Sequence, residues 1–186
     1  MMDISIVSSG CSAIGLGDKH LTNVPKGLEY LTALETLYLD QNQLSNLDSI
    51  WKLTTLEILD LGTNKLTHLS PQIGQLTALQ VLAVNKNQLT QLPVQITRLT
   101  NLISLRLGDN LLTHIPKGIT RLTDLHSLRL SDNQMTFLPA NITKMGLKYI
   151  TVDDSLRRDL PPEKLTLEPQ SLLDICLVWW SNRIVF

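Results

Sequence analysis

Apolar residues recur along this chain in one fixed phrase, L-x-x-L-x-L-x-x-N-x-L. It runs through Leu34, Leu37, Leu39, Asn42 and Leu44, and again through Leu56, Leu59, Leu61, Asn64 and Leu66. It returns at Leu79, Leu82, Val84, Asn87 and Leu89, then at Leu102, Leu105, Leu107, Asn110 and Leu112, and at Leu125, Leu128, Leu130, Asn133 and Met135. Successive asparagines stand 22, 23, 23 and 23 residues apart, and a fixed period of this length marks a repeat architecture. Two looser copies flank the five. Upstream, Leu16 keeps the strand pattern, but Lys19 replaces the asparagine and Cys11 the first leucine; downstream, Leu147, Ile150 and Val152 keep it, but Ser155 replaces the asparagine. Terminal repeats depart from consensus because each has a neighbour on one side only.

Each half of the phrase predicts an element. The L-x-L pair alternates at period two, so it is a short strand with both apolar side chains pointing inward. One such strand cannot bury its apolar face alone, and parallel stacking completes both the hydrogen-bond ladder and the core. The asparagine sits where the chain must turn, and its amide can serve exposed backbone donors and acceptors. These asparagines are therefore read as an internal structural ladder. The second half reads L-T-x-L-P-x-x-I-x-x-L, as in Leu89–Leu99 and Leu112–Leu122. Proline there suits the first helical position, and Ile and Leu three apart share a helical face, so each repeat should close with a short helix or 3₁₀ turn. Repeat two lacks the proline and is one residue shorter, and Trp51 is expected to cover the gap.

The predicted organisation is a lead-in at 1–10, about seven repeats over 11–155, and a loop with an amphipathic cap at 156–186. Pro161, Pro162 and Pro169 punctuate the last part, and Leu172, Ile175, Cys176, Trp179 and Trp180 then fall at i, i+3, i+4 and i+7 spacing. This segment is read first as a helical cap over the last repeat, and second as a surface for a partner or for self-association through Trp179 and Trp180. Composition narrows the field. Of 186 residues 43% are apolar and 4% aromatic, and the formal net charge is −1. The chain can bury a continuous core, but it lacks the basic bias that a phosphate backbone requires, so no nucleic acid is expected. No run of 18 apolar residues predicts a membrane span.

These motifs resemble the leucine-rich-repeat family, in the subclass whose 23-residue repeats carry L-P-x-x-I-x-x-L, as in Ras-pathway scaffolds and bacterial repeat proteins and effectors. The resemblance implies an α/β solenoid, a curved horseshoe with a parallel sheet on its concave face and short helical or 3₁₀ turns on its convex face. It also implies recognition of a protein partner on the concave sheet, with no cofactor and no enzymatic activity. Secreted animal members of the family usually carry cysteine-rich caps, whereas this chain has Cys11 and Cys176 only. Six strand steps of about 4.8 Å set the terminal repeats roughly 29 Å apart, well beyond the reach of a disulfide. Reduced thiols fit a cytoplasmic location, including the cytosol of a host cell if the protein is a delivered effector.

Register then selects the recognition residues. The position between the paired apolar residues reads Gly15, Tyr38, Asp60, Ala83, Arg106, Arg129 and Thr151; two before it stand Ala13, Thr36, Ile58, Val81, Ser104, Ser127 and Tyr149. Just beyond the strands come Lys86, Asp109, Asp132 and Asp154. Tyr38, Ile58, Asp60, Val81, Lys86, Arg106, Asp109, Arg129, Asp132 and Tyr149 are the candidate partner-binding residues. An apolar spot flanked by charge is how an interface looks; the competing reading is a solvated face on which arginines and aspartates pair locally. Catalytic and metal-binding residues are not expected. His68 and His114 sit at equivalent positions two repeats apart, about 10 Å, too far to share a metal. Cys176, between Ile175 and Leu177, reads as a buried cap cysteine before a nucleophile. Carbohydrate or small-ligand binding would call for aromatic platforms, and only Tyr38 and Tyr149 stand on the face.

Overall fold

A computed structural model describes residues 11–160; the lead-in, the Trp179–Trp180 stripe and Cys176 lie outside the described residues. Seven strands are found among these residues: β1 (Ala13–Gly15), β2 (Thr36–Tyr38), β3 (Ile58–Asp60), β4 (Val81–Ala83), β5 (Ser104–Arg106), β6 (Ser127–Arg129) and β7 (Tyr149–Thr151). They form one parallel sheet in chain order. The register is unbroken, so Leu37, Leu59, Leu82, Leu105, Leu128 and Ile150 form one row.

That row, with the leucines two residues later, packs against a short turn from the other half of each repeat. The turns are 3₁₀ throughout, among them Ile50–Lys52, Pro71–Gln75, Val94–Arg98, Lys117–Arg121 and Ile142–Lys144. Ile50, Ile73, Ile96 and Ile119 point from them into the same core and are fully buried. Removing those side chains from water contributes about 1.5–3 kcal/mol each. The turns stay short because only 13 or 14 residues separate each asparagine from the first leucine of the next repeat. Repeat two has a three-residue turn, shorter than the five-residue turns that follow it, and Trp51 is buried in the core beside it. The prolines differ from expectation. Pro71 opens its turn, but Pro93 and Pro116 sit one residue earlier, in extended backbone. There each uses its carbonyl, which accepts from Ile96 N (3.1 Å) and Ile119 N (2.9 Å). Ring-fixed φ suits that extended site as well as a first helical position.

The asparagines form the expected ladder. Asn87 Oδ1 accepts from Leu66 N (3.0 Å) in the preceding repeat, and its Nδ2 donates to Leu61 O (3.0 Å) and Val84 O (3.1 Å). Asn64, Asn110 and Asn133 repeat this pattern. Asn42 also serves the degenerate first repeat, through Lys19 N (3.1 Å) and Leu21 N (2.9 Å), so Lys19 needs no asparagine of its own.

Between strand and asparagine the chain bends through left-handed residues. Gln41, Thr63, Lys86, Asp109 and Asp132 have φ between 53° and 58°. This conformation is uncommon outside glycine. It is held here because each N–H meets the next repeat, as when Lys86 N donates to Gly108 O (3.0 Å). The last repeat departs from this just after β7. Asp153 substitutes its carboxylate, accepting from Asp132 N at 2.7 Å and from Asn133 N at 3.4 Å. The chain then turns at Asp154–Asp159, burying Leu156 and Leu160.

Candidate functional site

The concave face carries two side-chain rows that the leucine row excludes from the core. One runs Gly15, Tyr38, Asp60, Ala83, Arg106, Arg129, Thr151 in strict register, the other Ala13, Thr36, Ile58, Val81, Ser104, Ser127, Tyr149. Seven of the ten candidates, Tyr38, Ile58, Asp60, Val81, Arg106, Arg129 and Tyr149, stand on these rows. Tyr38 and Tyr149 are not neighbours; five strand steps separate them by about 24 Å. Lys86, Asp109 and Asp132 occupy the left-handed column at the strand ends and are exposed. Asp154 leaves that column: it heads the final turn and pairs with Arg157 at 2.9 Å.

Exposure across the face is uneven, contrary to the solvated surface expected of an open sheet. Ala13 and Gly15 on β1 are exposed, and Thr36, Tyr38, Ile58, Tyr149 and Thr151 are half-buried. On the central strands Val81, Ala83, Ser104, Arg106 and Ser127 are buried, with Ser104 fully so and Arg106 6% exposed. Asp60 at 8% is buried with them.

Burial sets the electrostatics. It raises the Asp60 carboxyl to about 6; the hydrogen bond from Gly62 N opposes this, Asp40 adds to it, and the Arg106 cation opposes it. The Gly62 N–H donates to Asp60 Oδ1 at 2.8 Å. Ala83, lying between Asp60 and Arg106, is small enough to leave those two charges in electrostatic contact across it. Arg129 is held below the usual arginine value, first by burial and then by Arg106 beside it. Arg106 and Arg129 are direct register partners on β5 and β6, where like charges repel.

Sequence reasoning underweighted Ser104, Ser127 and Ala83, which form the floor between the charged residues. It also missed Asp40, whose charge acts on Asp60. Ser104, Ser127 and Ala83 stand in the two strand columns already read, whereas Asp40 stands just beyond them, in the column of Gly62 and Ser131. Chemically the face offers hydrogen bonding, ion pairing and apolar contact. Among the described residues no group of three or more His, Cys, Asp or Glu side chains could hold a metal ion. Nor is any described helix long and apolar enough to cross a membrane.

Comparison with known proteins agrees with this architecture. A family model described as "Leucine-rich repeat region" matches residues 39–146. No curated protein matches the chain. Among solved structures, a leucine-rich-repeat protein of Leptospira interrogans is 30% identical, with a TM-score of 0.65 over 82% of this chain and 45% of that one. An internalin of Listeria monocytogenes is 27% identical, with a TM-score of 0.67 over 80% and 46% of the two chains. The leucine-rich-repeat ectodomain of the Arabidopsis thaliana membrane receptor kinase GASSHO1/SCHENGEN3, solved in complex with Casparian strip integrity factor 2, is 27% identical. Its TM-score is 0.65 over 87% of this chain and 23% of that one. The chain thus spans about half the length of the two bacterial proteins or less. With its repeat phrase, its seven-stranded parallel sheet and a family match over more than half its length, the chain belongs to the leucine-rich-repeat family.

Proposed function

We propose that this chain is a non-enzymatic interaction module that takes a protein partner on its concave face, as a scaffold or regulator in the cytoplasm. The observation that carries this reading is the contrast within each strand. The inward position is leucine on β2 to β6, whereas the concave position beside it changes from Tyr38 to Asp60, Ala83, Arg106 and Arg129 along continuous register. A face that served only the fold would have no reason to vary while its neighbour stays fixed. The mixture of tyrosine, arginine and apolar side chains suits a protein interface. The receptor ectodomain with the same repeat fold was solved in complex with Casparian strip integrity factor 2, which supports partner binding as what such a solenoid does.

The test is affinity capture with the wild-type chain and with a Tyr38→Ala, Arg106→Glu, Arg129→Glu variant of equal circular dichroism and melting behaviour. A partner held by the wild type and lost by the variant is the expected result. A partner that binds both equally would move the site to the convex side or to the segment after 160.

A further inference from the structure

The convex turns carry charge of one sign. Lys52, Arg98, Arg121 and Lys144 each stand last in a turn, one per repeat, and all four are exposed. Gln75 takes the same place on the turn between Lys52 and Arg98. Lys117, also exposed, opens the turn that Arg121 closes. The five turns from Ile50–Lys52 to Ile142–Lys144 hold no acidic residue. Arg157 pairs with Asp154, but among the described residues none of these five cations has an ion-pair partner. A cation suits the free carbonyls at a turn's end. Three- and five-residue turns sum few peptide dipoles, however, and Arg98, Arg121 and Lys144 stand on consecutive turns, where like charges repel. Arg98 is also held in place. Its Cδ lies 3.2 Å from where a Cβ on Gly74 would stand, so its stem lies across the preceding turn, and a stem already packed loses less freedom on binding.

Beside Lys144 the repeat is cut short. Met145, Gly146 and Leu147 follow where Leu122, Thr123, Asp124 and Leu125 stand one repeat earlier. The backbone at Met145 is extended, with ψ 148°, where Leu122 has ψ 76°. A cleft of about 320 Å³ opens there, and Thr120, Thr123, Asn141 and Lys144 line it with two hydroxyls, an amide and an ammonium. These groups can donate to an anion, although Thr123 Oγ1 already donates to Asp124 Oδ1 at 3.4 Å.

We propose that the turns Val94–Arg98, Lys117–Arg121 and Ile142–Lys144 bind a short acidic peptide segment in extended form. Its alternate carboxylates meet Arg98, Arg121 and Lys144, and the last of them enters the cleft. Adjacent strands stand about 4.8 Å apart and alternate residues of an extended peptide about 6.8 Å apart, a mismatch that long side chains absorb. The row is also short. Gln75 interrupts it on one side, and the turn after Lys144 begins with Asp154. A long polyanion such as a nucleic acid would run off it onto that aspartate. A bilayer would call for an apolar or aromatic face, whereas Val94 alone among the large apolar residues is exposed on these three turns. This site is separate from the concave one, takes a different ligand, and does not rest on the function proposed above.

The test uses the full chain and a fluorescein-labelled peptide alternating glutamate and serine over about seven residues. Anisotropy is read at about 0.15 M salt, where weak surface attraction is screened. Saturable binding is expected, with none for the same peptide carrying glutamine for glutamate. Arg98→Gln with Arg121→Gln should raise Kd at least about tenfold, and Lys144→Gln alone severalfold, in variants of unchanged melting behaviour. Asp124→Asn should tighten binding by removing a competing charge from the cleft. Absence of binding, or equal binding by the Arg98→Gln, Arg121→Gln variant, would overturn the proposal. A loss that follows Arg106→Gln with Arg129→Gln instead would move the peptide to the concave face and overturn it too. So would retention on vesicles of phosphatidylserine and phosphatidylcholine without binding of the peptide, which would assign the row to an anionic bilayer.

Discussion

Leu37, Leu59, Leu82, Leu105 and Leu128 are one residue type, fully buried, on five successive strands. The residues that follow them in the chain, Tyr38, Asp60, Ala83, Arg106 and Arg129, share the same strands and register but neither type nor charge. A 1-residue step along a strand thus crosses from a position fixed by the fold to a position free to serve recognition, because alternate side chains face opposite sides of a sheet. On the proposed reading, repetition and recognition occupy opposite faces of the same hydrogen-bonded strands. Asp60 shows the cost of the second face: it keeps a carboxylate where burial opposes its charge.

The largest way to test the contrast is Leu105→Ala. It should lower stability by about 3–5 kcal/mol in chemical denaturation, since it opens a cavity in a dry row. Tyr38→Ala, on the other face, should cost about 1 kcal/mol or less. Next comes the ladder. Asn87→Ala removes one acceptor and the donors to Leu61 O and Val84 O, and buried groups left unpaired make a loss of roughly 2–4 kcal/mol the expected melting result.

The concave face should respond in the opposite sense. The Asp60 carboxyl is raised from 3.8 to about 6. Its protonated form therefore contributes stability that is fully present below pH 3.8 and is lost as pH rises through 6. Asp60→Asn should stabilise the protein at pH 8, by up to about 3 kcal/mol. The gain should shrink as pH falls and vanish near pH 4; a pH-independent gain, or none at pH 8, would contradict the account. The smallest effect is expected at Thr63, a β-branched residue at φ 55°. Thr63→Asn, better suited to the left-handed region, should raise stability by about 0.5–1 kcal/mol in thermal melts.

How legible these features were depends on how locally each is determined. Strands, asparagine ladder and short turns could be read because each repeat makes them from its own residues and its immediate neighbour. The position of Pro93 and Pro116 was off by one because extended and first-helical backbone share nearly the same φ. The role of Asp153 was invisible, since it offers its carboxylate where the equivalent Ser131 offers its backbone carbonyl. Asp154 had been aligned with Asp109 and Asp132, but the array ends there and the chain turns instead. On the concave face the register named the side chains correctly as rows. It could not foretell the burial of Ser104 and Arg106, because a strand pattern specifies which way a residue points and not what lies above it.

The central claim is that recognition belongs to the concave row and not to the repeat scaffold as a whole. Titration of the captured partner against two variants of matched charge tests it most directly. Arg106→Glu with Arg129→Glu alters the concave face, and Arg98→Glu with Arg121→Glu alters the exposed arginines of two convex turns. The account predicts that Kd rises at least about tenfold, some 1.4 kcal/mol, for the concave pair and stays near the wild-type value for the convex pair. Equal losses, or a loss confined to the convex pair, would contradict it.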